Sequence, residues 1–266
     1  MIQPVFRRFL LVLFGCLLMP PLGFAENLET PHFLIIYPPS EVSLAETIAT
    51  SMETARERLS EELGISHEDR LRIKVVPVLT GGGKARYLPD RRIIEVLTIE
   101  AMTSCFGGRR PSLPFVEGVL WHEYIHFLQH QVMKRFVKDR DALWFIEGTA
   151  TYLGTLRLIN AYSPEAVWKE GEAFLSKGRL PTLDDLNHYL RANQYPLSAY
   201  FFSADAVEYL INDRGMEPLR QMTRCMGEGK DLRQCLSESL GVDLEGFERE
   251  WHRSLAQRYR IYIRQS

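Results

Sequence analysis

The segment His122-Glu123-Tyr124-Ile125-His126 combines residue types and a spacing that bind and use a metal ion. On a helix, residues four positions apart lie on one face, so the imidazoles of His122 and His126 can bind the same ion. Glu123 is rotated by about 100° from His122, and its carboxylate reaches past the ion toward a bound water. The spacing therefore predicts a zinc ion with a general base beside its water.

A third protein ligand is expected, because catalytic zinc has three of them and one open position. His130 continues the same helical face, but three residues spaced by four extend over about 12 Å and cannot converge on one ion. A glycine three residues and a histidine six residues after the second ligand would form another known site, but Gln129 and Val132 stand there. Glu147 remains, in an amphipathic stretch that follows the polar residues 138–141.

The segments HEYIH (122–126) and WFIEGTATY (144–152) together resemble those of the gluzincin zinc metallopeptidases, which pair HExxH with a glutamate in an E-G-x-A-x-Y segment. More narrowly, the chain resembles the peptidase MA-like domains of bacterial secreted proteins. The resemblance implies an α+β fold with a thermolysin-like catalytic core, in which a small N-terminal mixed sheet precedes a mostly helical lobe. It also implies one Zn2+ ion bound by His122, His126 and Glu147.

The same resemblance implies hydrolysis of peptide bonds, with Glu123 as the general base. Gluzincins often use a tyrosine or histidine from the helical lobe to stabilise the oxyanion. Tyr200 stands where such a residue is expected, and a purely structural tyrosine is the alternative. Thr151 occupies a position where many MA-like domains have a carboxylate, so the group that orients a ligand histidine is left unassigned.

The expected substrate is a peptide or protein. The aminopeptidase branch of the family carries a Gly-x-Met-x-Asn segment before HExxH, and none occurs here, which favours an endopeptidase. We expect the substrate to pair with the strand Arg92–Ile99 by strand addition. Two alternatives stay open: a zinc-dependent amidase acting on cell-wall crosslinks, and a non-catalytic exported binding module. The retained Glu123 disfavours the second, because a protein that only binds has no use for the base.

Residues 1–25 are typical of a secretory signal peptide, with Arg7 and Arg8 before the apolar run Phe9–Met19. We therefore expect an exported protein, periplasmic or secreted, without stable membrane insertion. A lipid anchor at Cys16 is the rival interpretation, which the bulky Phe14 disfavours. Removal of the segment takes both arginines away, so the formal charge changes from −2 to −4. No basic stripe occurs, and nucleic acid is not an expected partner.

Hydrophobic periodicity gives the remaining organisation, with a single peptidase domain over residues 26–266. We predict a sheet-containing part over about 31–110, zinc-site helices over about 115–159 and a C-terminal helical lobe over about 163–264. Predicted strands are His32–Tyr37, Leu71–Leu79 and Arg92–Ile99, and predicted helices are Ser43–Leu63, Phe115–Phe136, Leu143–Ile159, one opening at Ser163, a short one opening at Thr182, Ala199–Asp213, Met216–Met226, Asp231–Leu240 and Leu244–Ile263.

Three cysteines remain after removal of the signal peptide. Cys225 and Cys235 flank a turn between two predicted helices, and an oxidising compartment would allow them to form a disulfide. Two unpaired thiols are the alternative. Cys105 is left over in either case.

Overall fold

The structure is a computed structural model that describes residues 25–81, 83–133, 140–157, 180–192 and 197–265. The predicted signal peptide with Cys16, and the helix predicted to open at Ser163, lie outside the described residues.

The described residues contain one mixed sheet in front of a largely helical part. The strands are β1 (Glu26–Glu29), β2 (Phe33–Tyr37), β3 (Leu71–Val76), β4 (Ala85–Leu88) and β5 (Ile93–Leu97). Their order is β1-β2-β3-β5-β4, with β2, β3 and β5 parallel and the two edge strands antiparallel to their neighbours. Buried and exposed residues alternate along most of β3, which shows that helices cover one face of the sheet.

The expectation that a substrate pairs with the strand Arg92–Ile99 is wrong, because β5 is bonded on both sides, to β3 and to β4. Among the described residues, the strand with a free edge on this side is β4, which we did not predict. Its four residues, Ala85–Leu88, are too few to give a recognisable period-two pattern. The opposite edge strand, β1, was also missed, because Glu26–Glu29 is mostly exposed and acidic and is held as a strand by pairing with β2.

Two long helices pack on the covered face of the sheet. Helix α1 (Val42–Leu63) buries its predicted apolar stripe and ends at Gly64, whose positive φ of 66° closes the last turn. A short helix, α2 (Ile99–Cys105), follows β5. Helix α3 (Leu113–Val132) begins with a bond from the Phe115 amide to the Ser112 hydroxyl, and Trp121 on α3 donates its indole N–H to Ser51 on α1 at 3.0 Å. The second of these contacts joins α3 to α1.

The rest of the described chain is helical. Helix α4 (Leu143–Thr149) continues as a π-helix (Ala150–Leu156), and the later helices are α5 (Leu183–Arg191), α6 (Leu197–Arg214), α7 (Met216–Gly227), α8 (Leu232–Leu240) and α9 (Leu244–Gln265). Thr182 and Asp231 accept bonds from the first turns of α5 and α8 through their side chains, as helix-capping residues do. The small mixed sheet followed by a mostly helical part confirms the α+β prediction.

A disulfide and a set of buried hydrogen bonds connect the helices of the helical part. Cys225 on α7 and Cys235 on α8 form a disulfide with a Cα–Cα distance of 5.5 Å, and Cys105 is free and exposed. The buried Asp205 on α6 accepts bonds from the Trp251 indole and the Arg258 guanidinium on α9, at 2.7 and 2.8 Å. In the part of the chain that the structure covers, no helix is long and apolar enough to cross a membrane.

Candidate metal centre

Three side chains that the sequence singles out meet at one point. The Nε2 atoms of His122 and His126 are 3.1 Å apart, and Glu147 Oε2 lies 3.4 Å from the first and 3.3 Å from the second. Ligand atoms at zinc-bond lengths in a tetrahedral site are separated by about 3.3 Å. The donor set and the spacing therefore fit one zinc ion. His130 is not in this cluster, and its Nδ1 lies 3.3 Å from the Tyr87 hydroxyl instead.

The third ligand is positioned by close packing of the helix that carries it. Gly148 follows Glu147 and sits directly against the backbone of Ser203 on α6, where a Cβ atom has no room. At the start of α4, the Trp144 amide donates to the Asn187 side chain at 2.8 Å. Contacts with α5 and α6 thus fix the rotation and depth of α4, and its Glu147 carboxylate points at α3.

Gln129 orients one of the ligands, a role that the sequence analysis did not assign to it. Its Oε1 accepts from Nδ1 of His126 at 3.1 Å, and its Nε2 donates to the carbonyl of Ile146 at 3.2 Å. This bond keeps a proton on Nδ1, so Nε2 is the nitrogen that would bind a metal once it has lost its own proton. Gln129 is 1% exposed. The signal in the sequence is its place three residues after the second histidine, one turn along the same face.

The cluster is electrostatically coupled. Burial disfavours the protonated form of His126, but the Glu147 carboxylate outweighs burial and raises the pKa of His126 to about 9. Burial in turn favours a neutral Glu147, but the charge of His126 and bonds from both imidazoles hold the pKa of Glu147 far below its usual value. Glu147 is therefore an anion, as a carboxylate that binds zinc must be.

Glu123 lies between the metal-binding helix and the edge of the sheet. Its Oε2 accepts from the backbone N–H of Tyr87 on β4 at 2.7 Å. The amide of Leu97 donates to the carbonyl of Lys84. Since inward and outward pairs alternate in an antiparallel ladder, the backbone groups of Ala85 and Tyr87 point away from β5. The predicted base thus faces the free edge of the sheet.

Two further residues from the sequence analysis lie near this centre. Tyr200 on α6 is half-buried, with its ring centroid 6.3 Å from that of His122. Thr151 stands where many MA-like domains have a carboxylate. Its hydroxyl is buried and has no hydrogen-bond partner among the described residues. Gln129 therefore supplies an orienting contact for His126, and Thr151 supplies none that is visible.

No family model matches the chain, and no curated protein matches its sequence. Among solved structures, it is similar to the M1 zinc metallopeptidase of Deinococcus radiodurans, with 19% identity and a TM-score of 0.45 over 86% of this chain and 51% of that one. A mutant of that enzyme bound to a Tyr-Ser-Ala substrate gives 18% identity and a TM-score of 0.47, over 85% and 51%. The chain spans about half the length of these proteins, and we take its function from the geometry of its own site.

Proposed function

We propose that the protein is an exported zinc-dependent metallopeptidase of the thermolysin-like, peptidase MA-like type, and that it acts as an endopeptidase. The observation that carries this proposal is the convergence of His122, His126 and Glu147, with Glu123 directed to a free strand edge. The three ligands would hold the ion. When bound, zinc supplies polarisation of the scissile carbonyl and a lowered pKa for its water.

The side chains around the ion would divide the remaining work. Glu123 takes the proton of the attacking water and later delivers it to the leaving amine. Gln129 keeps the His126 ring in one tautomer and orientation through its bond to Nδ1. Tyr200 lies near His122, and its phenol O–H would donate a hydrogen bond to the developing oxyanion.

The edge strand supports a peptide as the substrate. Ala85 and Tyr87 direct backbone donors and acceptors away from the sheet, and an extended peptide can pair with them as an added strand. Strand β4 consists of Ala85, Arg86, Tyr87 and Leu88 and carries no carboxylate that would bind a free N-terminal amine. This composition favours cleavage within a chain. Export is proposed from residues 1–25 and is tested by fractionation of cells that express the full chain.

The test compares Glu123→Gln with the wild-type protein in an assay of peptide and peptidoglycan-fragment hydrolysis, with zinc measured by elemental analysis. We expect wild-type cleavage of internal peptide bonds that stops on chelation, and at least ~100-fold slower turnover in the variant because proton transfer is lost. Zinc stoichiometry should be unchanged, since Glu123 is not a ligand. Near-normal turnover in the variant would show that Glu123 is not the base. If the wild-type protein cleaves peptidoglycan fragments but no peptides, it is an amidase.

A further inference from the structure

A second concave site lies in the segment that joins α2 to α3. It has a volume of about 380 Å3, and its lining consists of Phe106, Arg109, Arg110, Pro111, Ser112 and Phe115. The rings of Phe106 and Phe115 meet edge to face with centroids 5.1 Å apart. Phe106 is 38% exposed, which is high for a ring of that size. Two aromatic rings therefore line the site, and the basic side chains of Arg109 and Arg110 border it.

The position of this pocket relative to the metal follows from helix geometry. Phe115 precedes His122 by seven residues on α3, which is two turns on nearly the same face and about 10 Å along the axis. Phe115 therefore places the pocket beside the face of α3 that carries His122, toward the beginning of that helix.

Strand geometry places the same pocket along the line of the edge strand. The Lys84 ammonium lies 5.6 Å from the centroid of the Phe106 ring, and Lys84 comes three residues before Tyr87, whose amide binds Glu123. Three residues of a strand span about 10 Å. An extended peptide on the β4 edge that passes Glu123 thus reaches the pocket with a residue about three positions from the bond being cleaved.

The rim of the pocket is positively charged. Lys84 lies over the Phe106 ring, Arg109 and Arg110 line the pocket, and none of the three forms a salt bridge within the described residues. Arg110 also borders an adjoining cavity with Glu41 and Glu100, where its charge partly offsets the rise in the Glu41 pKa that burial causes, whereas Arg109 does not line that cavity. A guanidinium presents a planar pair of donors that matches a carboxylate, and a nearby apolar surface strengthens the interaction by excluding water.

We propose that this pocket is a specificity subsite that binds the side-chain carboxylate of an aspartate or glutamate in the substrate, about three residues from the scissile bond. The assignment rests on the proposed peptidase function. Arg109 and Arg110 are the specificity-determining residues, and the two phenylalanines hold the aliphatic part of the acidic side chain.

The test uses a set of otherwise identical amidated peptides that carry Glu or Gln at each position from four before to four after the cleaved bond. We expect a kcat/KM at least ~10-fold higher for Glu over Gln at one position two to four residues from that bond, as charged hydrogen bonds provide. In Arg109→Gln/Arg110→Gln, cleavage of the preferred Glu peptide should fall to the wild-type level for its Gln partner. Arg249→Gln/Arg253→Gln on α9 makes the same change in charge elsewhere and should keep the preference.

Several outcomes would overturn the subsite, and they differ from failure of the peptidase itself. Cleavage of both peptides at equal rates, or a preference that survives in the Arg109/Arg110 variant, removes the subsite and leaves the peptidase. If kcat/KM rises only for non-amidated peptides, which carry a free C-terminal carboxylate, the pocket binds the end of the chain instead of an acidic side chain. If no peptide is cleaved, the affinities of the Glu and Gln peptides for Glu123→Gln are compared instead. Equal affinities would also contradict the proposed subsite.

Discussion

The backbone of Gly154 lies directly against the backbone of His122. A Cβ atom added to Gly154 would lie 2.6 Å from the amide nitrogen and 2.8 Å from the Cα atom of His122. Gly154 belongs to the π-helix that follows the helix of Glu147. The π-helix that follows Glu147 is therefore packed, backbone against backbone, on the first ligand, His122. Such π-helical turns often occur at functional sites.

We predict that Gly154→Ala weakens zinc binding as well as the fold, because α3 must move away at the first ligand. Gly227→Ala is the matched control, since its Cβ would meet Val132 at the far end of α3, at 2.6 to 2.8 Å. Both variants should lower the free energy of unfolding by about 1–3 kcal/mol, the usual cost of overpacking. Competition with a zinc chelator should show reduced affinity in the folded protein only for Gly154→Ala. Equal zinc affinities in the two variants would show that the contact does not position His122.

Glu147→Ala should sharply lower the affinity for zinc, because two imidazoles are fewer ligands than catalytic sites use. Glu147→Gln should retain part of it through the amide oxygen. His130→Ala serves as the control and should bind zinc normally, since His130 lies with Tyr87 outside the cluster. The measurement is zinc occupancy at buffered free metal. Full occupancy in Glu147→Ala, or loss in His130→Ala, would assign the third ligand to another residue.

Gln129→Leu should lower zinc affinity by about 10- to 100-fold, the range seen when a group that orients a ligand histidine is removed. The variant also leaves the Ile146 carbonyl without its donor, so stability should be measured in parallel. Gln129→Glu keeps an acceptor for His126 and should restore much of the zinc affinity while the bond to Ile146 stays broken. If Glu fails to recover affinity relative to Leu, the contact to His126 is not the reason for the loss.

His67 gives a prediction about pH. Its ring is 6% exposed, with Nδ1 donating to the Asp69 carbonyl at 2.7 Å and Nε2 accepting from the Tyr124 hydroxyl at 2.9 Å. Both contacts suit the neutral ring. Burial lowers the pKa of His67, and the nearby charges of Arg56 and Arg92 lower it further.

Below about pH 6.5 the imidazole of His67 is protonated in the unfolded chain but stays neutral in the folded chain. The free energy of unfolding should therefore decrease as the pH falls from 7 to 5, with His67 contributing at most about 1.4 kcal/mol per pH unit. Urea denaturation of His67→Gln should show a shallower pH dependence than the wild type. His188→Gln, at an exposed position, should match the wild-type slope. A slope unchanged by His67→Gln would locate the acid sensitivity elsewhere.

The disulfide between Cys225 and Cys235 closes a loop with a separation of ten residues. By the chain-entropy estimate it stabilises the fold by about 2–3 kcal/mol. Cys225→Ser/Cys235→Ser should lose that amount in urea denaturation, whereas Cys105→Ser should change little because Cys105 is exposed. Peptide mapping of alkylated, unreduced protein from the cell envelope should show the linked pair. Two alkylated thiols there, or a link to Cys105, would contradict the pairing.

The helices and the choice of ligands were accessible from the sequence because they depend on local patterns. The stripe on α1, the glycine that ends it and the caps at Thr182 and Asp231 all act within a few residues. The meeting of His122, His126 and Glu147 followed from one helical spacing and one family pattern, and the structure brings these side chains together.

The features that the sequence did not provide depend on contacts between distant segments. Strand β4 forms because β5 offers it a partner, and its own four residues carry no strong preference. Gln129 gains its role only when the Ile146 carbonyl arrives from the next helix. The basic pocket likewise needs Lys84 brought to Phe106 by the fold. Propensity and periodicity describe single segments and contain no such information.

The hydrogen bond from Tyr87 to Glu123 has a consequence for solubility. An edge strand with unpaired amides is a template on which another copy of the chain can add a strand and begin to aggregate. Here the strand is only four residues long, and the outward amide of Tyr87 is occupied by the Glu123 carboxylate. The same side chain that would handle the proton thus also shields the exposed edge from other chains until a peptide displaces it.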